Sequence, residues 1–309
     1  MPGTQLPPPS RPSLVVDGVP IIRLESTALR VDIAPSVGGR IISLFHKQAG
    51  LEFLWKNRAL SLQRLPAGSE YDPNFYGGID ELLPNDIPED IDGVDCPDHG
   101  ELWTTPLEWE AKGNALVLRG RLLRFGLSYE REMSLRTDSP VLDLRYRIVN
   151  TTNSPRQFLW KLHAALAIEA GDVIDCPARK AQIVDPAWSR FKTIETFAWP
   201  QIEGQSANVI PDRNGTMDFF YLFDLTDGQI ALRSPRRGVE FIYRFDPRVF
   251  PYAWLFASYG GFNDHYTGIL EPCTAMPMSV NEAAARKQCP VLGPGHALET
   301  SVSIYAGPQ

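Results

Sequence analysis

Glu271, His163 and His99 are side chains able to exchange protons near neutral pH, and all three stand in irregular parts of the sequence. Glu271 closes a short apolar run and precedes Pro272, which cannot donate to a sheet ladder. We therefore expect strand pairing to stop before Pro272 and the carboxylate to be held rigidly. A carboxylate that accepts a proton and an imidazole that donates one form a matched acid–base pair. These residue types predict proton-transfer chemistry.

Each of these residues also has a purely structural interpretation. Glu271 could brace a turn, and a lone histidine in an apolar strand could bond a backbone carbonyl. If residues 157–166 form a strand, His163 shares a face with Lys161, whereas Trp160 faces the other way. The sequence contains no GxSxG, Walker or dinucleotide motif and no CxxC or Cys/His ligand spacing. We therefore expect acid–base chemistry without a metal or a cofactor.

A second unusual stretch runs from Tyr76 to Trp109 and is dense in glycine, proline and acidic residues. It is too long for a simple hairpin loop, and long irregular segments are often functional. We expect it to line a polar cleft with an aromatic floor. The candidate lining residues are Glu81, Asn85, Asp86, His99, Glu101 and Trp103. An ordered loop with solvated acids and a calcium-binding loop are alternatives, although no EF-hand spacing is present.

Around these stretches the apolar residues recur with period two. Between Leu142 and Ile148 apolar side chains alternate with Asp143, Arg145 and Arg147, as in a strand with one buried face. The same pattern appears at 115–119, 127–133, 229–233, 239–245 and 301–305, with turn signals between several of these runs. Such half-apolar strands predict an all-β fold, a large antiparallel β-sandwich. One short helix is predicted over 280–288, with Ser279 as its N-cap.

Composition restricts the class of protein. The chain has 309 residues, a net charge of −7 and dispersed basic residues, which argues against nucleic acid or an anionic membrane as partner. Four widely spaced cysteines and an N-terminus without an apolar signal segment lead us to expect a cytoplasmic protein. We expect a proline-rich arm over residues 1–20 and a single domain over residues 21–309.

The order of several short motifs resembles the aldose 1-epimerase, or galactose mutarotase-like, family. The motifs are GGRIISL (38–44), YGGIDELLPN (76–85), DHGELW (98–103), FLWKLHAAL (158–166) and GILEPCTAMP (268–277). The resemblance implies a large antiparallel β-sandwich with a sugar cleft on one sheet. It also implies that Glu271 is the general base, that His163 is the general acid, and that His99 and Asp218 hold the sugar.

For such a protein we expect a free aldose as the ligand, with Trp103, Trp160 or Trp254 stacking on the sugar ring. The acidic cleft argues against a phosphosugar, because phosphate prefers Arg, Lys or helix N-termini. The sequence departs from the family where Glu81 stands near the position of an arginine and where Leu162 precedes His163. Alternatives are a non-catalytic carbohydrate-binding protein and another carbohydrate-active enzyme on the same fold, such as a lyase that uses Tyr259 or Tyr266. A homodimer is compatible with the sequence.

Overall fold

The computed structural model describes residues 11–309, and the described residues are almost entirely β-structure. The strands of the first half are β1 (Leu14–Val16), β2 (Val19–Glu25), β3 (Leu29–Ala34), β4 (Arg40–His46), β5 (Leu51–Glu52), β6 (Ile79–Leu82), β7 (Glu89–Ile91), β8 (Val94–Cys96), β9 (Glu108–Lys112), β10 (Ala115–Leu122), β11 (Leu127–Leu135), β12 (Val141–Asn150) and β13 (Arg156–Gln157). Short 3₁₀ helices cover Asp72–Asn74 and Leu102–Thr104.

The second half continues the pattern and contains one short helix. Its elements are β14 (Lys161–Leu166), β15 (Val173–Asp175), β16 (Ala178–Ile183), β17 (Phe197–Ala198), β18 (Gln201–Ile202), β19 (Gln205–Ser206), β20 (Thr216–Leu225), β21 (Gln229–Ser234), β22 (Val239–Arg244), β23 (Tyr252–Tyr259), β24 (Tyr266–Cys273), α1 (Val280–Ala285), β25 (Val291–Leu292) and β26 (Ala297–Pro308). The predicted Ser279 N-cap is confirmed, since its side chain accepts a hydrogen bond from the Glu282 amide.

Two large antiparallel sheets pack face to face. The larger has the order β1-β2-β3-β4-β6-β14-β24-β23-β20-β16-β17, with β5 beside β4, and the smaller has the order β15-β21-β22-β26-β12-β11-β10-β9. Apolar side chains from both inner faces form one core, for example Leu162 and Leu270 from the larger sheet and Leu118 and Tyr146 from the smaller. The predicted β-sandwich is confirmed, and the alternating stretches lie in β10, β11, β12, β21, β22 and β26.

The outer face of the larger sheet is covered where its middle strands run. The segments around residues 71–75, 86–87 and 99 pack there, together with Phe262 and Met278. The Gly77-Gly78 pair lets the chain pass close to β4 before β6 begins. Gly77 and Gly78 have φ of +89° and +79°, and a Cβ on Gly78 would lie 2.5 Å from the Ile41 carbonyl oxygen. This covered face is where the candidate site forms.

Some expectations about the elements are corrected. Strand pairing does not stop before Pro272. Ala253 and Tyr252 of β23 still pair with Pro272 and Cys273, so β24 continues to Cys273. The stretch 76–109 is not irregular throughout, since it contributes β6 to the larger sheet. Part of the predicted arm, residues 1–10, lies outside the described residues, and the sheet already begins at Leu14. Within residues 11–309, no helix has the length and apolar character needed to span a membrane.

Candidate active site

The two middle strands of the larger sheet bring Glu271 and His163 side by side. Lys161 of β14 pairs with Cys273 of β24, and Ala164 pairs with Leu270. The same register places His163 beside Glu271, and both point to the outer face because side chains alternate along a strand. The sequence alternation of residues 158–166 therefore positions His163 and Lys161 on the site face.

A cavity of about 220 Å³ lies over this pair. Its apolar walls are Tyr71, Phe75, Ile87, Phe219, Phe256, Phe262, Ile269 and Met278. Its polar lining consists of Asp72, Asp86, His99, Lys161, His163 and Glu271. A mostly apolar space with a few convergent polar groups is typical of a small-molecule site, and this one is smaller than the roughly 300–1,000 Å³ usual for drug-sized ligands.

Glu271 is part of a buried charge triad. The Lys161 ammonium lies 2.6 Å from Oε2 of Glu271 and 2.7 Å from Oδ1 of Asp86, and the three side chains are almost fully buried. Burial alone would lower the pKa of Lys161, but the charges of Asp86 and Glu271 raise it above its ordinary value. Burial would likewise raise the pKa of Asp86, which the Lys161 charge instead lowers. The triad therefore holds two carboxylates on one ammonium.

His163 is oriented by a second group of charges. Its Nδ1 lies 2.9 Å from Oδ1 of Asp80, its cross-strand neighbour on β6. The Tyr71 hydroxyl donates to Oδ2 of Asp80 at 2.9 Å, and Arg40 lies 2.7 Å from the same oxygen. Because Nδ1 is engaged by Asp80, Nε2 is the nitrogen left to serve a ligand.

The Asp80 carboxyl should make acid unfolding of the protein steeper. Burial would raise its pKa, but Arg40, His163 and the hydrogen bonds from His163 and Tyr71 outweigh this and lower the pKa from 3.8 to about 2. Its stabilising contribution is therefore complete above about pH 4 and is lost as the pH falls through about 2. We expect Asp80→Asn to be less stable than wild type by about 2 kcal/mol at pH 5, with the deficit shrinking toward pH 2.5. Urea unfolding across this range measures it, and a deficit independent of pH would contradict it.

His99 is a further polar residue of the cavity lining. Its ring stacks on Tyr71 with centroids 4.0 Å apart, and its Nδ1 lies 2.7 Å from Oδ1 of Asp98. His99 has φ +56°, a left-handed conformation uncommon outside glycine, and its amide donates to the Asp86 carbonyl at 2.8 Å. Strain of this kind is often found at functional sites. The structure thus gathers Glu271, His163 and His99, three residues singled out in the sequence, around one cavity.

Glu81, Trp160 and Trp254 do not line this cavity. Glu81 lies between the sheets, where its carboxylate accepts hydrogen bonds from Arg131 at 2.6 Å and from the Trp160 indole at 3.0 Å. Glu81 follows Asp80 by one residue and Trp160 precedes Lys161 by one, so alternation sends both to the core. Trp254 is fully buried beneath Lys161, whose ammonium lies 4.6 Å from the ring centroid.

Asp218 is also turned away from the cavity. It is the neighbour of Phe219, a cavity residue, and therefore faces the opposite side of β20. There its carboxylate lies 2.6 Å from Nε of Arg190 and accepts from the Tyr259 hydroxyl at 3.2 Å. The charge of Asp218 is thus balanced within the protein. No sugar contact follows from this position.

The other predicted residues, Asn85, Glu101 and Trp103, support the segment that carries Asp86 and His99 over the larger sheet. The Asn85 amide donates to two backbone carbonyls at 2.7 Å, those of residues 87 and 97. The Glu101 carboxylate accepts from the backbone amides of residues 124 and 125. Trp103 packs edge-on against Tyr71 at 5.0 Å and stands behind it, outside the cavity lining. These three residues hold the segment that carries Asp86 and His99.

Sequence reasoning missed Tyr71, Asp80 and the role of Lys161. Lys161 shares the face of His163, which was visible from the alternation, but its two carboxylate partners come from other segments. Asp80 would have been found by extending the same alternation to β6. Within residues 11–309 no three His, Cys, Asp or Glu side chains cluster as a metal site.

Comparison with solved structures identifies the class of fold. The Slr1438 protein from Synechocystis sp. PCC 6803 is 17% identical with a TM-score of 0.73, covering 96% of this chain and 99% of its own. A galactose mutarotase-like protein from Clostridium acetobutylicum is 16% identical with a TM-score of 0.70, covering 96% and 98%. A galactose mutarotase related enzyme from Lactobacillus acidophilus is 13% identical with a TM-score of 0.67, covering 93% and 97%. The fold is therefore a galactose mutarotase-like β-sandwich.

Sequence comparison gives a narrower result. The model of a domain of unknown function, DUF5107, matches residues 15–84, which contain most of β1 and all of β2 to β6. A search of curated proteins finds no match to this sequence. At identities below 20% these structural similarities show the fold and do not assign a chemistry to the cavity.

Proposed function

We propose that this protein is an aldose 1-epimerase that interconverts the α and β anomers of a free, unphosphorylated aldose. The observation that carries the proposal is the pairing of Glu271 and His163 on the outer face of neighbouring strands, inside a cavity of about 220 Å³. A carboxylate and an imidazole held side by side can remove and deliver a proton on one ligand.

The proposed reaction uses these two groups in sequence. Glu271 accepts the proton of the anomeric hydroxyl while His163 donates one to the ring oxygen, so the ring opens to the aldehyde. Rotation about the C1–C2 bond exposes the other face of the carbonyl. Reclosure returns a proton from Glu271 to the anomeric oxygen and one from the ring hydroxyl to His163, and both groups recover their initial states.

Lys161 has a defined part in this proposal. When Glu271 takes up a proton, the Lys161 ammonium still lies 2.7 Å from Asp86 and does not become an unpaired buried charge. The triad thereby keeps a counter-charge beside the Lys161 ammonium throughout the proposed proton transfer. Lys161 acts here as a positioning residue for the proposed base.

The charge of the cavity supports a neutral ligand. Its lining carries the carboxylates of Asp72, Asp86 and Glu271 against the single ammonium of Lys161. An excess of carboxylates repels phosphate, whereas carboxylates and His99 can bond sugar hydroxyls. Phe219 and Phe256 offer apolar surface for the C–H face of a sugar ring.

A second candidate is a non-catalytic carbohydrate-binding protein. It is favoured by the ion pair at 2.6 Å between Lys161 and Glu271, because one oxygen of the proposed base is already engaged by a cation of the protein itself. A lyase has less support, since the Tyr259 hydroxyl donates to Asp218 and the Tyr266 hydroxyl donates to the Pro211 carbonyl, both away from the cavity.

Saturation-transfer NMR at neutral pH tests the proposal. Glucose, galactose, xylose and related free aldoses are each examined with and without protein, and we expect accelerated transfer between the anomeric signals of at least one of them. His163→Gln, which cannot protonate the ring oxygen, should lower the acceleration by roughly 100-fold or more. Sugar binding without any acceleration across the panel would instead support the carbohydrate-binding protein.

A further inference from the structure

A second open space adjoins the cavity. This side groove has a volume of about 1160 Å³ and is walled by residues 54–59 on one side and 262–265 on the other. Asp72 and Phe262 line both the cavity and the side groove, so the two spaces share walls. A ligand larger than one sugar ring could therefore extend from the cavity into the side groove.

The wall of the side groove that carries Trp55 continues the aromatic lining of the cavity. Trp55, which is partly exposed, stacks on Phe75 with centroids 5.4 Å apart, and Phe75 lines the cavity. The Trp55 ring also contacts His265 at 4.7 Å, and Phe262 contacts His265 at 5.8 Å. Partly exposed aromatic faces of this kind suit the C–H face of a second sugar ring.

The walls of the side groove are held in place by the protein itself. The Trp55 amide donates to the Ala165 carbonyl of β14 at 2.9 Å, which ties this wall to the larger sheet. The side-chain nitrogen Nδ2 of Asn57 lies 3.4 Å from Nε2 of His265 and links the two walls. On the opposite wall Asn263 and Asp264 have φ of +46° and +57°, a tight left-handed turn. A preformed groove loses little entropy on binding.

The charges of the side groove are balanced. Lys56 and Arg58 stand against Glu52, Asp72 and Asp264, and Asp264 is paired with Arg213. A groove without an excess of positive charge does not select an anion, whereas mixed charged and amide groups can bond hydroxyls. The chemistry therefore fits a neutral, hydroxyl-rich group.

We propose that the side groove is a second saccharide subsite, and that the preferred ligand is a neutral oligosaccharide whose reducing-end ring occupies the cavity. This inference rests on the proposed function in taking a free reducing sugar as the ligand of the cavity. The ring next to the reducing end stacks on Trp55 between the walls of the side groove.

Isothermal titration calorimetry compares each monosaccharide with disaccharides that carry it at the reducing end. The pairs are glucose with maltose, cellobiose and lactose, galactose with galactobiose, and xylose with xylobiose. We expect at least one disaccharide to bind with a Kd about tenfold lower than its own monosaccharide. The subsite is overturned if every disaccharide binds no more tightly than its monosaccharide, or if no saccharide binds.

Two variants test whether the tighter binding of the disaccharide comes from the side groove. Trp55→Ala removes the stacking surface, and Ala59→Trp fills the side groove from an exposed position in its wall. Both should remove the roughly tenfold advantage of the disaccharide, and Ala59→Trp, which lies outside the cavity lining, should leave monosaccharide affinity unchanged. Ala111→Trp is the matched control, because Ala111 is exposed on β9 of the other sheet. Retention of the advantage in Ala59→Trp would overturn the proposal.

Anomer exchange on the same samples separates the two proposals. If a disaccharide binds more tightly and Ala59→Trp abolishes the advantage, the subsite stands even when no sugar shows accelerated exchange. If monosaccharide exchange is accelerated but no disaccharide gains affinity, the epimerase proposal stands and the subsite fails.

Discussion

Glu271→Gln is expected to reduce anomer exchange by roughly 100- to 10,000-fold while the protein remains folded. Glutamine keeps the shape of the side chain and can still accept a hydrogen bond from Lys161, which lies 2.6 Å away in the wild type. It cannot take the proton of the anomeric hydroxyl. The exchange rate per protein molecule is measured by saturation-transfer NMR, and the circular dichroism spectrum reports the fold. A variant with an undiminished rate would exclude Glu271 as the base.

Glu101→Gln is the matched control for this change. Glu101 is also a buried carboxylate, but it accepts hydrogen bonds from the backbone amides of residues 124 and 125 instead of lining the cavity. We expect Glu101→Gln to lower stability by about 1–3 kcal/mol, since a buried amide loses its partner. Because Glu101 supports the segment that carries His99 and does not line the cavity, the exchange rate should fall far less than in Glu271→Gln. Equal losses of rate in both variants would show that the effect of Glu271→Gln comes from general destabilisation.

Glu81→Gln is expected to lower the free energy of unfolding by about 3–5 kcal/mol. Glu81 is 1% exposed, and its carboxylate neutralises the Arg131 guanidinium at 2.6 Å while it accepts hydrogen bonds from Tyr129 and Tyr146. Removing the negative charge leaves a buried cation without a counter-charge between the sheets. Urea unfolding at pH 7 measures the loss.

Glu130→Gln provides the control for charge removal at the surface. Glu130 pairs with Arg119 at 2.6 Å, but both side chains are more than 40% exposed. Water and salt screen such a pair, so its loss should cost no more than about 1 kcal/mol. If Glu81→Gln were no more costly than Glu130→Gln, the ion pair in the core would contribute little to stability.

The sandwich could be predicted because each strand carries its own signal. Alternation between apolar and polar residues, as from Leu142 to Ile148, shows which face is buried without any knowledge of the partner strand. The same local signal put His163 and Lys161 on one face. Glu271 was found for its residue type and its place before Pro272, although β24 runs past that proline.

The rest of the site depends on contacts between distant segments. Asp80 reaches His163 across 83 residues of sequence, and Tyr71 reaches it across 92. No local pattern specifies such pairings. Glu81 was misplaced for a different reason. An acidic residue in a polar segment is ordinarily exposed, whereas Glu81 forms a buried ion pair with Arg131 of the other sheet.

The position of β14 and β24 at the middle of the larger sheet bears on how a ligand enters. Strands flanked on both sides open only in near-global unfolding, so their amide hydrogens should exchange slowly and the floor of the cavity should behave as a fixed surface. Any gating motion is then left to the segments that cover the cavity, namely those around Tyr71, His99 and Phe262. The rate of ligand entry would thus be set by the motion of these segments, while the strands fix the backbone positions of Glu271 and His163.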